Sequence, residues 1–232
     1  MRSSVSSGSA RVWYRFWRGL LWIGFRLGCG LRVDGREHEP AHGAVLAICN
    51  HVSAVDPPIA GCALHRQARY MAKQELLDTP VLGWLLWSIG VYPVRRGEPD
   101  RRAIRTTIDC LTRGDLVVMF PEGTRSPDGR LMRAEPGAAL VALRVGVPVL
   151  PMAVIGSQHA MPKGAKFPRR AQVTVRIGPV LTVPKVEGRI DRATLEAWGA
   201  RFMAAIAALL PPDQQPLPGA KPTEVPLPSG RP

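Results

Sequence analysis

The segment Ala44-Val45-Leu46-Ala47-Ile48-Cys49-Asn50-His51-Val52-Ser53-Ala54-Val55-Asp56-Pro57-Pro58 joins two kinds of pattern. Its first six residues are a continuous apolar run, as in a strand buried on both faces. Its end reads as a helix start. Ser53-x-x-Asp56 resembles a capping pattern, with Ser53 as N-cap, Asp56 in the first turn, and Pro57 and Pro58 where a helix needs few donors. On one regular helix His51 and Asp56 would diverge by roughly 140°. A strand-turn-helix corner lets them meet. An imidazole exchanges a proton near neutral pH, and a neighbouring carboxylate orients and stabilises it. Together they can activate a hydroxyl as a nucleophile. For this stretch alone, a capped helix with an incidental histidine is the plain alternative.

The alternation continues outward. Leu31-Arg32-Val33 reads as a short strand and Asp34–Gly43 as a loop. Further strands are expected at Arg69–Ala72, Gly90–Arg96, Leu116–Phe120, Val147–Val154 and Gln172–Ile177. Helices are expected at Asp56–His65, Asp100–Thr112, Ala138–Val145 and Asp191–Leu210, with a loop at Gly156–Arg170 carrying Lys163, Lys166, Arg169 and Arg170. The apolar stretch Glu75–Ile89 is either a core helix or a face open to lipid. This order predicts an α/β fold with a mixed, largely parallel central sheet flanked by helices. Ligands of such sheets gather beyond the strand carboxyl ends. Three polar groups directly follow strands there: His51/Asp56, Arg96, and Glu122/Thr124/Arg125. Arg96 and Arg125, with the Gly123-Thr124 backbone and hydroxyl, suit a phosphate monoester, because guanidinium pairs with phosphate through forked, charge-assisted hydrogen bonds. Lys73 adds a third charge.

Length and composition fit one domain with appendages: 232 residues, 46% of them hydrophobic. A net charge of +13 calls for an anionic partner. Nucleic acid is not indicated, since the chain has no zinc-finger spacing, RNP-like strand or long basic run. An anionic membrane surface or an acidic substrate fits instead. The four cysteines form no C-x-x-C pair and read as reduced, buried thiols of a cytosolic compartment. His38 and His42 lie in a Glu/Pro/Gly loop, and no metal site is expected. Residues 1–10 are Ser/Gly-rich and expected to be disordered. Residues 11–28 predict an amphipathic helix, with Arg11, Arg15, Arg18 and Arg26 on one side and Trp13, Phe16, Trp17, Leu20, Ile23 and Leu27 on the other. It is too short and too charged for a spanning helix, and its composition is that of a helix lying at a membrane surface. Packing against the domain is the alternative. The folded domain is expected over 29–210, and 211–232 is a proline-rich tail expected to be disordered.

These motifs, in this order, resemble the PlsC-like lysophospholipid/glycerophosphate acyltransferases. Asn50-His51-x4-Asp56 matches the first block of that family, Gly90 through Arg96 the second, Phe120-Pro121-Glu122-Gly123-Thr124-Arg125-Ser126 the third, and Val147-Pro148-x-x-Pro151 the fourth. Ala72-Lys73-x-Glu75-Leu76 and Pro162-Lys163-Gly164 also look like the family. The similarity runs from about Leu31 to Val180. It implies that residues 29–210 are an acyltransferase domain carrying an acyl chain from acyl-CoA or acyl-ACP to a glycerol hydroxyl. The leading implied acceptor is lysophosphatidic acid, giving phosphatidic acid, with glycerol-3-phosphate, another lysophospholipid or a lipid-linked glycan as alternative acceptors, and no cofactor is needed beyond the acyl donor. His51 and Asp56 would be catalytic. Arg96, Glu122, Gly123, Thr124, Arg125 and Lys73 would hold the acceptor's head group and phosphate. With the amphipathic segment at 11–28 as its anchor, the protein is expected to be peripheral or monotopic on the cytoplasmic face of the membrane. Two departures stand out: one amphipathic segment replaces the longer hydrophobic helices common in the family, and Arg95 lies beside the matched Arg96. Thioester or phosphate-ester hydrolysis is a rival activity, although a G-x-S-x-G nucleophile elbow is absent. A non-catalytic membrane- or lipid-binding protein is a rival of another class.

Overall fold

The computed structural model describes residues 8–80, 83, 91–94, 101–162, 165 and 169–216. In chain order they form α1 (Gly8–Cys29), β1 (Arg32–Asp34), β2 (Val45–Cys49), α2 (Asp56–Ala63), β3 (Ala68–Lys73), the short α3 (Gln74–Leu77), β4 (Val91–Val94), α4 (Arg101–Thr112), β5 (Leu116–Met119), α5 (Pro136–Val145), β6 (Val149–Ile155), the one-turn α6 (Ser157–Ala160), β7 (Thr174–Ile177) and α7 (Arg192–Ala207).

The seven strands make one sheet in the order β1-β7-β6-β2-β5-β3-β4. Strands β2 to β6 run parallel, β7 pairs antiparallel with β6, and β1 lies parallel to β7. Strand β2 takes the centre because all five of its residues are apolar and can be buried on both faces. Val45, Ala47 and Cys49 face a layer containing α1 and α2, where Ile59, Ala63 and Leu64 pack. Leu46 and Ile48 face the opposite layer, with Leu111 of α4, Leu143 of α5, and Phe202 and Ile206 of α7. Pro93 lies in edge strand β4, where a missing donor does least harm. The register sets Ile48 beside both Met119 and Pro151. Strands β2 and β5 therefore end together on one edge, and β6 runs on past them to Ile155.

Asn50 extends the β2–β6 contact by one side chain. Its amide donates to the Val154 carbonyl at 2.9 Å and accepts from the Val154 N–H at 2.7 Å.

Several boundaries differ from the sequence expectation. Helix α1 begins at Gly8, inside the stretch expected to be disordered. Helix α2 stops at Ala63, before His65. The expected loop after β6 opens with α6. A 3-10 turn at Pro212–Gln214 falls within the expected tail, because Gln214 is buried and its carbonyl accepts from Leu131 N–H at 2.9 Å. Of the Glu75–Ile89 stretch, only 75–80 and 83 lie among the described residues, and the helix found there is α3.

Phe16, Leu20, Ile23 and Leu27 share one apolar face of α1, as the sequence predicts, but Arg18 from the expected basic side turns inward. Tyr14, Arg18, Trp22, Phe25 and Cys29 turn toward the domain. The Tyr14 hydroxyl accepts from Ala68 N–H at 3.3 Å, and Arg18 donates to the Leu64 carbonyl at 2.5 Å. The Arg36 guanidinium lies over the Trp22 ring at 4.6 Å. On the other side Val12, Phe16, Leu20, Ile23 and Leu27 are exposed, from 49% to 76%. Their helical spacing makes one continuous apolar stripe. The helix thus docks through one face and leaves a second apolar face uncovered. No helix among the described residues is long and apolar enough to cross a membrane.

Replacing Asn50 by Ala orphans both backbone groups of Val154 in a dry site, at about 1–3 kcal/mol each. The Asn50→Ala variant is expected to unfold at clearly lower urea concentration than the parent; an unchanged midpoint would contradict the ladder role of this side chain.

Candidate active site

The corner between β2 and α2 brings His51 and Asp56 together. His51 Nδ1 lies 2.9 Å from Asp56 Oδ2. The same oxygen accepts from the backbone N–H groups of Val52 at 2.7 Å and Ser53 at 2.6 Å. The other oxygen accepts from the Ser157 hydroxyl at 2.5 Å. Asp56 is completely buried. Its protein contacts suit an acceptor-only group, so the assigned pattern is a carboxylate with the His51 proton on Nδ1. That leaves Nε2 to accept a proton. Among the described residues it has no hydrogen-bond partner.

Only half of the expected helix cap forms. The Asp56 carboxylate reaches back to the Ser53 N–H, as the acidic member of a capping box does. The Ser53 hydroxyl does not cap; it donates to the Met161 carbonyl at 3.0 Å, tying the corner to the segment after α6. Helix α2 has no side-chain cap.

The segment after β5 braces the histidine from the other side. The Phe120 ring lies 4.4 Å from the imidazole, at an interplanar angle of 30°. Ser126 N–H donates to the His51 carbonyl at 2.7 Å. Glu122 accepts from the His51 N–H at 2.6 Å and the Met132 N–H at 3.0 Å. Glu122 is buried, so its carboxyl does not take the head-group position expected of it; both oxygens hold the backbone. Burial pushes this carboxyl up to about 7, and the two backbone donors oppose that rise. Gly123 also differs from expectation. Its N–H donates to the Phe120 carbonyl at 3.0 Å and is committed to the turn. Its φ of 68° is left-handed, and a Cβ there would approach Glu135 Cγ to 3.1 Å, so the position favours glycine.

Thr124 is half-buried and Arg125 exposed. Neither side chain has a partner among the described residues, so both can contact a ligand. Lys73 ends β3 on the same edge of the sheet. Arg96 lies outside the described residues.

Ser157 and the structural use of Asn50 were not singled out by the sequence reasoning. A signal for Ser157 was present: it follows the apolar strand β6 after one glycine, so it occupies the same edge as the other polar groups. Cys49 adjoins the site but is poorly suited to nucleophilic attack. Burial, with Asp56 and Glu122 nearby, pushes its thiol well above the ordinary range.

A His–carboxylate corner on the carboxyl edge of a mixed α/β sheet, with a free guanidinium on the next strand's turn, is the framework of a group-transfer site. Comparison with known proteins gives the framework its family. Residues 30–155 match the Acyltransferase family, and the chain belongs to it. It is 31% identical over 209 residues to the 1-acyl-sn-glycerol-3-phosphate acyltransferase of Pseudomonas aeruginosa, covering 85% of this chain and 77% of that protein. It is 35% identical over 145 residues to the Bacillus subtilis enzyme of the same name, covering 62% of this chain and 71% of that one. With the chloroplastic 1-acyl-sn-glycerol-3-phosphate acyltransferase of Brassica napus the identity is 34% over 142 residues, 58% of this chain but only 40% of the plant protein. The chain thus spans about two fifths of that relative's length. In fold it resembles the crystal structure of the 1-acyl-sn-glycerophosphate acyltransferase PlsC from Thermotoga maritima, with a TM-score of 0.67, 23% identity, and coverage of 84% and 79% of the two chains.

The raised Glu122 carboxyl has a testable sign. Between about pH 4.5 and 7 the unfolded chain releases this proton while the folded chain keeps it, so stability falls as pH rises. Relative to the parent, a Glu122→Gln variant should therefore gain up to about 3 kcal/mol across that window and level off above it. Urea unfolding of both proteins at several pH values checks this, and parallel curves would contradict it.

Proposed function

We propose that the protein transfers a fatty acyl chain from a thioester donor, acyl-CoA or acyl-ACP, to the free hydroxyl of 1-acyl-glycerol-3-phosphate, yielding phosphatidic acid. The observation that carries this reading is the His51–Asp56 contact, with Nδ1 committed to the carboxylate and Nε2 left to take a proton. The names of the bacterial relatives support the acceptor class.

The chemistry follows from those positions. Nε2 removes the proton of the acceptor hydroxyl as its oxygen attacks the thioester carbonyl. A tetrahedral intermediate forms and collapses, breaking the carbon–sulfur bond. The imidazolium, stabilised by Asp56, returns its proton to the departing thiolate. Ser157 and the Val52 and Ser53 N–H groups hold Asp56 in place for this. No acyl-enzyme is needed, and the acyl donor is a co-substrate with no further cofactor. Arg125 and Thr124 pair with the acceptor phosphate, with Arg96 and Lys73 as further cationic contacts. Glu122 and Gly123 shape the turn that carries them.

The protein sits peripherally on the cytoplasmic face of the membrane through the outward stripe of α1, and its net charge favours an anionic leaflet. Burying each large apolar side chain of that stripe in lipid contributes about 1.5–3 kcal/mol.

Three experiments test these assignments. His51→Ala should lower kcat by about 10²–10⁴-fold, the range of a general base, with lysophosphatidate and acyl-CoA as substrates; equal activity would sink the mechanism. Arg125→Ala should raise the acceptor KM while leaving the donor KM within about twofold, and an unaltered acceptor KM would remove Arg125 from the phosphate site. For the membrane, Phe16→Glu combined with Ile23→Glu should cut sedimentation with anionic vesicles at least tenfold. Undiminished binding would assign the anchor elsewhere.

A further inference from the structure

His51 carries a positive charge part-way through the proposed reaction, yet its side chain is only 12% exposed. A cation held so far out of water loses most of its hydration and needs replacement partners. Asp56 supplies one at Nδ1, on the edge of the ring. The two faces of the imidazole lie perpendicular to that contact and call for a partner of another kind.

Phe120 occupies one face. The two ring centroids are 4.4 Å apart and the planes are inclined by 30°. Rings this close to parallel but lying side by side could not bring their centroids nearer than about 6 Å, since touching carbons stay about 3.5 Å apart. The imidazole therefore overlaps the face of the phenyl ring. That face is the negative part of the ring's quadrupole, and it attracts a cation lying within about 6 Å of the centroid. With a neutral imidazole the overlap gains mainly dispersion. Once the imidazole is protonated, an attraction between charge and quadrupole is added.

The fold builds this stack. Met119, the last residue of β5, pairs with Ile48 of β2. The phenyl ring and the imidazole thus leave neighbouring strands at the same edge of the sheet. Phe120 packs against the core layer shared with α1 and α2, and its carbonyl accepts from Gly123 N–H at 3.0 Å. Side chain and backbone are both anchored, which holds the ring against the histidine.

We propose that Phe120 is a positioning residue of the transfer step, whose π face stabilises the imidazolium that His51 becomes on taking the acceptor's proton. The proposal rests on the reading of His51 as the general base. The proton passes from the hydroxyl to Nε2 and then to the departing thiolate, while the phenyl ring gains and loses no bond, proton or electron. Because the added attraction exists only after the proton has moved, it lowers the barrier without tightening the substrate complex. Its loss should appear in the rate of transfer and not in KM.

A fluorine series tests this. Ring fluorines withdraw electron density from the π face with little change of shape. In the full chain Phe120 is replaced by 4-fluoro-, 3,4-difluoro- and 3,4,5-trifluorophenylalanine, and the single-turnover rate of acyl transfer from acyl-CoA to lysophosphatidate is measured. The rate should fall with each fluorine, by about 3–30-fold at the third, which is the span of a cation–π contact. Both KM values should stay within about twofold. Phe120→cyclohexylalanine, which keeps the bulk and removes the π face, should be as slow as the trifluoro variant. A trifluoro variant with the parent rate would overturn the proposal. So would a rise in acceptor KM at constant rate, which would make Phe120 a wall of the acceptor site. Comparison with His51→Ala separates the two readings. Loss of transfer in that variant beside a flat fluorine series refutes the role of Phe120 alone, whereas full transfer in it refutes the general base.

Discussion

Asp56 is wholly buried, and an uncompensated carboxylate in such a place costs on the order of several kcal/mol. The structure offsets that cost with two backbone N–H groups, the Ser157 hydroxyl and the His51 ring nitrogen. The donors come from three different places: the turn after β2, the ring itself, and the first residue of α6. Satisfying this one carboxylate therefore fixes the corner, the imidazole and the end of β6 relative to one another. The catalytic geometry and the stability of the corner have the same source, because a partly satisfied buried network is worse than none.

The same logic recurs one strand away with a different outcome. Glu122 also takes two backbone donors, one of them the His51 N–H. Among the described residues no cation pairs with it, and burial pushes its carboxyl up to about 7. Asp56 thus serves the ring of His51 and Glu122 serves its backbone. Between them, with Phe120 against the ring face and Ser126 on the carbonyl, the histidine is held from every side except Nε2. Such support suits a base that must keep its position while substrate arrives.

Much of this was legible in the sequence, and the limits have physical causes. The central strands are continuous apolar runs, and that pattern survives any tertiary context because both faces are buried. The meeting of His51 with Asp56 followed from a strand ending where a helix began. Glu122 was misplaced because a charged residue next to Gly123-Thr124-Arg125 looks like a surface group; only the tertiary position of Met132 and of the His51 backbone turns it inward. Ser157 went unnoticed because its partner lies 101 residues earlier, beyond any local pattern. The second, domain-facing side of α1 went unforeseen for a related reason. Arg18 sits among apolar residues because a carbonyl at the end of α2 awaits it, and helical periodicity alone cannot show which stripe of a doubly apolar helix meets the domain.

The central claim is that Asp56 holds His51 in the tautomer whose Nε2 is free to take the acceptor's proton. Nitrogen-15 NMR of histidine-labelled protein in detergent micelles at about pH 8, above the ordinary range for histidine titration, tests it directly, with the His51 signals assigned by their loss in His51→Ala. The account predicts a protonated Nδ1 and an unprotonated Nε2 in the parent, with that preference lost in Asp56→Ala. A proton resident on Nε2 in the parent would contradict it.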